Sequence, residues 1–137
     1  MLHYIYMLIT AAIAKIHRAV VTQAELDYVG SITIDSDLLA ACGMKEFQQV
    51  HINNVANGEH WETYILAGPA GKGDICLNGP PARLFSPGNI VIIVAYAQME
   101  PSELKGGPTV VFVDEKNKIT KIKKHDDIAI GATTKTA

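Results

Sequence analysis

Cysteine is scarce in this chain. Cys42 and Cys76 are too few for a disulfide framework, and they form no C-x-x-C pair, which excludes a zinc knuckle. A reducing cytoplasm is the compartment they fit. Charge is sparse too. Charged residues make up 19%, twelve basic against fourteen acidic, for a net charge of −2. That balance excludes a strongly basic nucleic-acid surface, and the 48% apolar content excludes disorder. Long hydrophobic runs are missing as well. The stretch MLHYIYMLITAAIA stops at Lys15, short of the roughly twenty apolar residues a membrane-spanning helix needs. Ala12-Ile13-Ala14 looks like a small-residue cleavage site, yet no Lys or Arg precedes the run, so the charged start of a signal peptide is lacking. The run is therefore read as a first core strand, and Met7 offers a second start that would leave residues 1–6 as an extension. Gly68-Pro69-Ala70-Gly71-Lys72-Gly73 lacks the spacing and the following Ser or Thr of a phosphate-binding loop. No repeat or linker divides the 137 residues, which are expected to form a single domain, 1–137.

What is present is mostly β signal. Ala19–Thr22 is rich in β-branched residues, and Ser31–Ile34 alternates polar and apolar. Asp35 suits a helix N-cap, with Leu38, Leu39, Ala41 and Cys42 on one face and Gly43 at the C-terminal cap. Val50–Val55 reads as a strand, and Asn57-Gly58 as a hairpin turn. From Trp61 to Ala67, Trp61, Thr63 and Ile65 face one way and Glu62, Tyr64 and Leu66 the other. A short strand over Asp74–Asn78 ends at Gly79-Pro80-Pro81, because proline cannot donate to a ladder. The continuous apolar run Ile90–Tyr96 predicts a central strand buried on both faces. A loop follows over Pro101–Pro108, with a helical turn near Ser102–Lys105. Thr109–Val113 and Ile119–Ile122 are strands joined by a turn around Asn117, before a polar tail. Many short strands at close spacing predict a small barrel or sandwich with one or two short helices.

Three clusters carry candidate chemistry. Lys15 and His17, two strand positions apart, point to one side and suit a carboxylate. In Tyr28-Val29-Gly30-Ser31, the Ser31 hydroxyl can attack the open carbonyl of Gly30. The amide becomes an ester, β-elimination leaves dehydroalanine, and hydrolysis with loss of ammonia leaves a pyruvoyl group. A Gly-Ser step by itself is ordinarily only a turn. Thr63, Tyr64, Asn78 and Gly79 add a hydroxyl, a phenol and an amide. His17, His51 and His60 show no close metal-ligand spacing, so no metal site is expected.

Taken in order, Lys15-Ile16-His17-Arg18-Ala19, Leu26-Asp27-Tyr28-Val29-Gly30-Ser31-Ile32-Thr33-Ile34-Asp35, Asn57-Gly58, Glu62-Thr63-Tyr64, Cys76-Leu77-Asn78-Gly79, Gly88-Asn89-Ile90-Val91-Ile92-Ile93 and Pro108-Thr109-Val110-Val111 resemble the pyruvoyl-dependent aspartate decarboxylases, from about Met7 to Lys123. The resemblance implies a small double-psi β-barrel, a homotetramer with active sites between subunits, and decarboxylation of L-aspartate to β-alanine and CO2 for pantothenate and coenzyme A synthesis. It implies self-cleavage between Gly30 and Ser31 into a β chain, 1–30, and an α chain, 31–137. The pyruvoyl group from Ser31 then forms a Schiff base with substrate. Thr63 assists cleavage, Asn78 lies near the scissile carbonyl, and Tyr64 returns a proton to the α-carbon. A phenol, with an ordinary pKa about 10, carries that proton at neutral pH. Lys15 and His17 match positions near the substrate carboxylates, and Gly79, Pro80 and Pro81 match the segment that contacts substrate.

Two departures from the family pattern stand out. His60 occupies the place of an arginine in Asn-Gly-x-Arg-Phe-x-Thr-Tyr. Histidine is only partly charged at pH 7, so aspartate binding is expected to be weaker and to improve at mildly acidic pH. Pro80-Pro81 stands where the family often has Ala-Ala, and proline removes the N–H donor at both positions. The alternatives are a folded homologue with impaired or altered substrate use, including glutamate, and a non-catalytic β-barrel interaction module.

Overall fold

The computed structural model describes residues 7–124. The polar tail, His3 and His125 lie outside these residues. Eight strands form one curled sheet: β1 (Ile9–Val20), β2 (Ile32–Asp35), β3 (Gln49–Asn54), β4 (His60–Gly68), β5 (Ile75–Leu77), β6 (Ile90–Met99), β7 (Thr109–Val113) and β8 (Ile119–Lys123). Their order is β5-β2-β4-β3-β6-β1-β7-β8, with β1/β7 and β2/β4 parallel and the other neighbours antiparallel. Past β1 the chain turns back to the far end of this order. Thr22 N–H donates to Ile75 O (2.8 Å), Leu77 N–H donates to Gln23 O (2.8 Å), and Gln23 bridges Cys76 in parallel. The strand-rich sheet, curled so that β5 meets the continuation of β1, is that of a small double-psi β-barrel.

Alternation puts one row of each strand inside. Ile16, Ile93 and Ile52 are register partners across β1, β6 and β3, fully buried, and Ile52 faces Trp61 on β4. Burying each such isoleucine contributes about 1.5–3 kcal/mol. The single α-helix among the described residues, α1 (Ser36–Cys42), closes one end with Leu38, Leu39 and Cys42 inward. Asp35 caps its start by accepting from Asp37 N–H, and Gly43, at φ 77°, ends it.

Four readings of the sequence change in detail. The apolar N-terminal run enters β1 only at Ile9, with Met7 and Leu8 exposed ahead of it, and β1 also absorbs Lys15-x-His17-Arg18. Ala14 is fully buried within it. Asn57-Gly58 sits in the β3–β4 hairpin, but the loop runs from Val55 to Gly58, and only Gly58 has positive φ (73°). A two-residue turn of the expected kind needs positive φ at both positions. β6 is central, between β3 and β1, but Ile90 and Ile92 are only half-buried, so its continuous apolar run is not sealed on both faces. Pro80–Arg83 forms a 3₁₀ turn, and a second one, Pro101–Glu103, replaces the helical turn expected slightly later.

Candidate active site

The Gly30–Ser31 step lies where an exposed loop enters the barrel. Tyr28 and Val29 are exposed, whereas Ser31 is buried. Ser31 has φ 75°, a left-handed conformation that costs a non-glycine residue about 1–2 kcal/mol. β2 is flanked by β4, with Ile32 opposite Ile65, and by β5, with Ile32 opposite Leu77. Carried one residue back, that register sets Ser31 beside Tyr64 on one flank and Asn78 on the other. One residue further back, Gly30 meets Thr63 and Gly79. The approach to Gly79 is close: a Cβ there would lie 3.0 Å from Gly30 Cα. Gly79 itself has φ 76°.

Asn78 is buried and fully engaged. Its Oδ1 accepts from Glu25 N–H (2.9 Å), and its Nδ2 donates to Gln23 Oε1 (3.0 Å). It thereby holds the loop that leads into Gly30, and its own backbone oxygen lies 3.5 Å from where a Cβ on Gly30 would be. The Gly79 N–H donates to Glu25 O (3.0 Å), so it is not free for a ligand. Pro80 and Pro81 occupy the first two positions of the 3₁₀ turn, where backbone N–H groups lack partners anyway, and so cost the fold no hydrogen bond. Pro81 is buried, and Pro80 borders Gly30.

Tyr64 stands 46% exposed on the outer face of β4, its ring 6.5 Å from that of Phe47. Phe47 is 69% exposed and has φ 69°, a strained conformation for an aromatic residue. Nothing in the sequence singles out Phe47 beside this tyrosine.

Lys15 and His17 stand elsewhere. Lys15 pairs with Val94 on β6, Val94 with His51 on β3, and His51 with Glu62 on β4. In the strand order, four inter-strand steps separate β2 from β1, so no register pairing brings Lys15 or His17 beside Ser31. His17 lies half-buried in a cleft of about 390 Å³, with Phe112 edge-on at 5.3 Å, and its Nδ1 is buried without a hydrogen-bond partner. Burial, then the Lys15 and Arg18 cations, hold its imidazole below the ordinary histidine pKa. Arg18, at φ 63°, sits at a bulge in β1.

His60 starts β4, exposed. Its Nδ1 meets Asn53 Oδ1 at 2.7 Å, and its Nε2 lies 3.9 Å from Glu62 Oε2. His51 Nε2 lies 3.0 Å from the other Glu62 oxygen. Thus His60 is not an isolated partial cation. It belongs with His51 and Glu62 to a group whose ligand atoms all lie within 4.8 Å of one another. No spacing rule finds this group, because His51 joins it from the neighbouring strand. Cys42 and Cys76 are buried free thiols, and burial pushes both above the ordinary thiol pKa.

A curled double-psi barrel with a strained, buried serine after a glycine, with a tyrosine at its register position on the next strand and an amide-braced loop before it, defines a small β-barrel enzyme. The profile of the family described as aspartate decarboxylase matches residues 7–120. The chain is 55% identical over 116 residues to the aspartate 1-decarboxylase of Lactiplantibacillus plantarum, covering 84% of this chain and 89% of the relative. It is 52% identical over 126 residues to that of Acetivibrio thermocellus, covering 89% of this chain and all of the relative. It is 54% identical over 126 residues to that of Ruminiclostridium cellulolyticum, covering 89% and 98%. The chain belongs to the aspartate decarboxylase family, a family of carboxy-lyases. Among the described residues, no helix is long and apolar enough to cross a membrane.

Proposed function

We propose that this chain is a self-processing precursor that cuts itself between Gly30 and Ser31, and that the cut protein decarboxylates L-aspartate to β-alanine and CO2 for pantothenate and coenzyme A synthesis. The observation that carries the reading is Ser31 itself. It is a buried serine held at φ 75° directly after a glycine whose far side is packed against Gly79. Strain released on cleavage favours the cut, and Gly30 leaves its carbonyl open to the Ser31 hydroxyl. Thr63, beside Gly30 by register, is placed to assist. Asn78 acts by bracing the entering loop through Glu25 and Gln23.

Those residues fit a pyruvoyl group made from Ser31, which supplies the electron-poor carbonyl that a decarboxylation needs. Tyr64 holds the proton delivered to the substrate α-carbon. Gly79, Pro80 and Pro81 wall the pocket by shape rather than by N–H donation. Lys15 and His17 face the substrate carboxylates of a neighbouring subunit's site in a homotetramer. The four steps between β1 and β2 in the strand order, and the exposed Phe47, Tyr64 and Tyr96, support that assembly. Two buried, unpaired thiols suit the cytoplasm.

The deciding experiment is a denaturing intact-mass spectrum before and after warm incubation. Two fragments are expected, meeting at Gly30/Ser31, the larger lighter by one ammonia than a serine-started chain. Ser31→Ala stays whole. Tyr64→Phe is cut normally but forms β-alanine at least about 100-fold more slowly. A wild-type mass that remains whole overturns the reading.

A further inference from the structure

The outer face of β3 and β4 carries a donor set in which His60 stands with two residues, His51 and Glu62, to which the decarboxylation chemistry gives no role. His60 and Glu62, two residues apart on β4, point to one side, and His51 stands opposite Glu62 on β3. Two imidazoles and one carboxylate are a familiar zinc set, one that leaves room for a further ligand. The distances suit it. Ligand atoms around a tetrahedral Zn2+ lie about 3.3 Å apart, given bonds of about 2.0–2.1 Å. Here His51 Nε2 is 3.0 Å from one Glu62 oxygen and His60 Nε2 is 3.9 Å from the other, so small side-chain rotations close the set.

An independent observation concerns the far side of His60. Its Nδ1 meets the amide oxygen of Asn53 at 2.7 Å. An amide oxygen only accepts, so Nδ1 is the donor in this contact and Nε2 is the nitrogen turned toward Glu62. This is the second contact that orients metal-binding histidines. His51 is held in turn by ring contacts, 4.7 Å to Tyr96 and 5.2 Å to His60. A cavity of about 270 Å³, lined by His51, Tyr96, Gln49 and Gln98, adjoins the group.

We propose that His51, His60 and Glu62 bind a divalent transition metal of the zinc class, and that the remaining coordination position takes a carboxylate of the substrate. Two neutral imidazoles, one carboxylate and a dication sum to a charge of +1. Without the metal, Glu62 repels any carboxylate that His60 attracts. His60, Glu62 and Tyr64 alternate along one face of β4, and Glu62 and Tyr64 stand about 7 Å apart along the strand, a spacing comparable to the length of a four-carbon dicarboxylate. The choice of a dicarboxylate rests on the decarboxylase reading; the metal site does not.

The test uses the full-length purified protein, stripped with chelator and then titrated with Zn2+ in competition with a chromophoric chelator, and separately with Co2+ read by visible absorption. One metal per chain is expected. Affinity falls at least about tenfold in each of His51→Asn, His60→Asn and Glu62→Gln, and also in Asn53→Ala, which removes only the orienting contact. Thermal unfolding checks that each variant is folded. Succinate, a dicarboxylate without the reacting amine, is expected to shift the Co2+ band of the wild type. Zn2+ affinity that is unchanged in the single variants overturns the site. A Co2+ band indifferent to succinate overturns carboxylate capture. Neither readout involves turnover, so loss of β-alanine formation counts against the function proposed above and not against this site.

Discussion

At position 79 a single hydrogen cannot become a methyl group without consequence. Gly79 has φ 76°, and an added Cβ would lie 3.0 Å from Gly30 Cα and 3.4 Å from its nitrogen, with backbone behind both. Gly79→Ala must push the Gly30–Ser31 step away from its present geometry. A misplacement of about 1 Å can cost a reaction between positioned groups about a hundredfold, so the smaller shift forced here is expected to slow self-cleavage by about tenfold. Intact mass over time measures it, with thermal unfolding to show that the variant is folded. Cutting at the wild-type rate would contradict the importance given to this contact. The sequence offers the Gly-Ser step and the Asn-Gly pair, but not their meeting. Serine has no preference for left-handed backbone, so φ 75° at Ser31 is set by β4 and β5 on either side, and no local signal announces it. The same holds for Phe47, an aromatic residue in a conformation its own type disfavours.

Among the elements, α1 and the loop after β4 are joined through one carboxylate. Asp35 accepts from Asp37 N–H (2.8 Å), Gly71 N–H (3.0 Å) and Gly73 N–H (2.7 Å) while only 2% exposed. Burial alone would raise its pKa, but the three N–H donors, with Lys118 nearby, hold it below the ordinary carboxylate value of 3.8. A depressed folded pKa means that this stabilisation is complete above the ordinary value and is lost as pH falls through the depressed one. Asp35→Asn is expected to cost about 2 kcal/mol at pH 7, because an amide offers one acceptor where the carboxylate offers two. Urea unfolding at pH 7 and at pH 3 checks this. The gap between variant and wild type should narrow at the lower pH, and a gap that widens would refute the assignment. Helix capping by Asp35 was legible, since it needs only neighbours in sequence. The contacts to Gly71 and Gly73 were not, since they join residues 36 and 38 apart. Asn117 is a similar case. Read only as a turn residue, it reaches from the β7–β8 turn to both the N–H and the carbonyl of Val20 and to Gly73 O.

For the whole molecule, each of the eight described strands and the helix follows from alternation, runs and caps, whereas the sheet order does not. β1 lies between β6 and β7, partners some seventy to ninety-five residues away, and no periodicity encodes that choice. The barrel type came from resemblance, as did the grouping of Lys15 with Ser31, which one chain keeps four strands apart. If a site takes Lys15 from one subunit and Tyr64 from its neighbour, Lys15→Ala and Tyr64→Phe chains are each inactive alone. Co-expressed, they assemble mixed tetramers in which about a quarter of the sites carry both native residues. Recovery of about that fraction of wild-type β-alanine formation is the expected result, and no recovery would place both residues on one subunit. The position of β1 has another consequence. A cut after residue 30 does not free an arm at the edge but severs the ownership of an inner plank, laddered on both sides to the other piece. On the proposed cut, the covalent link would disappear while the hydrogen-bonded fabric stays, so the processed protein would be an obligate two-chain complex. Once unfolded, its pieces must find each other before either can complete a sheet, and a unimolecular folding reaction becomes a bimolecular one.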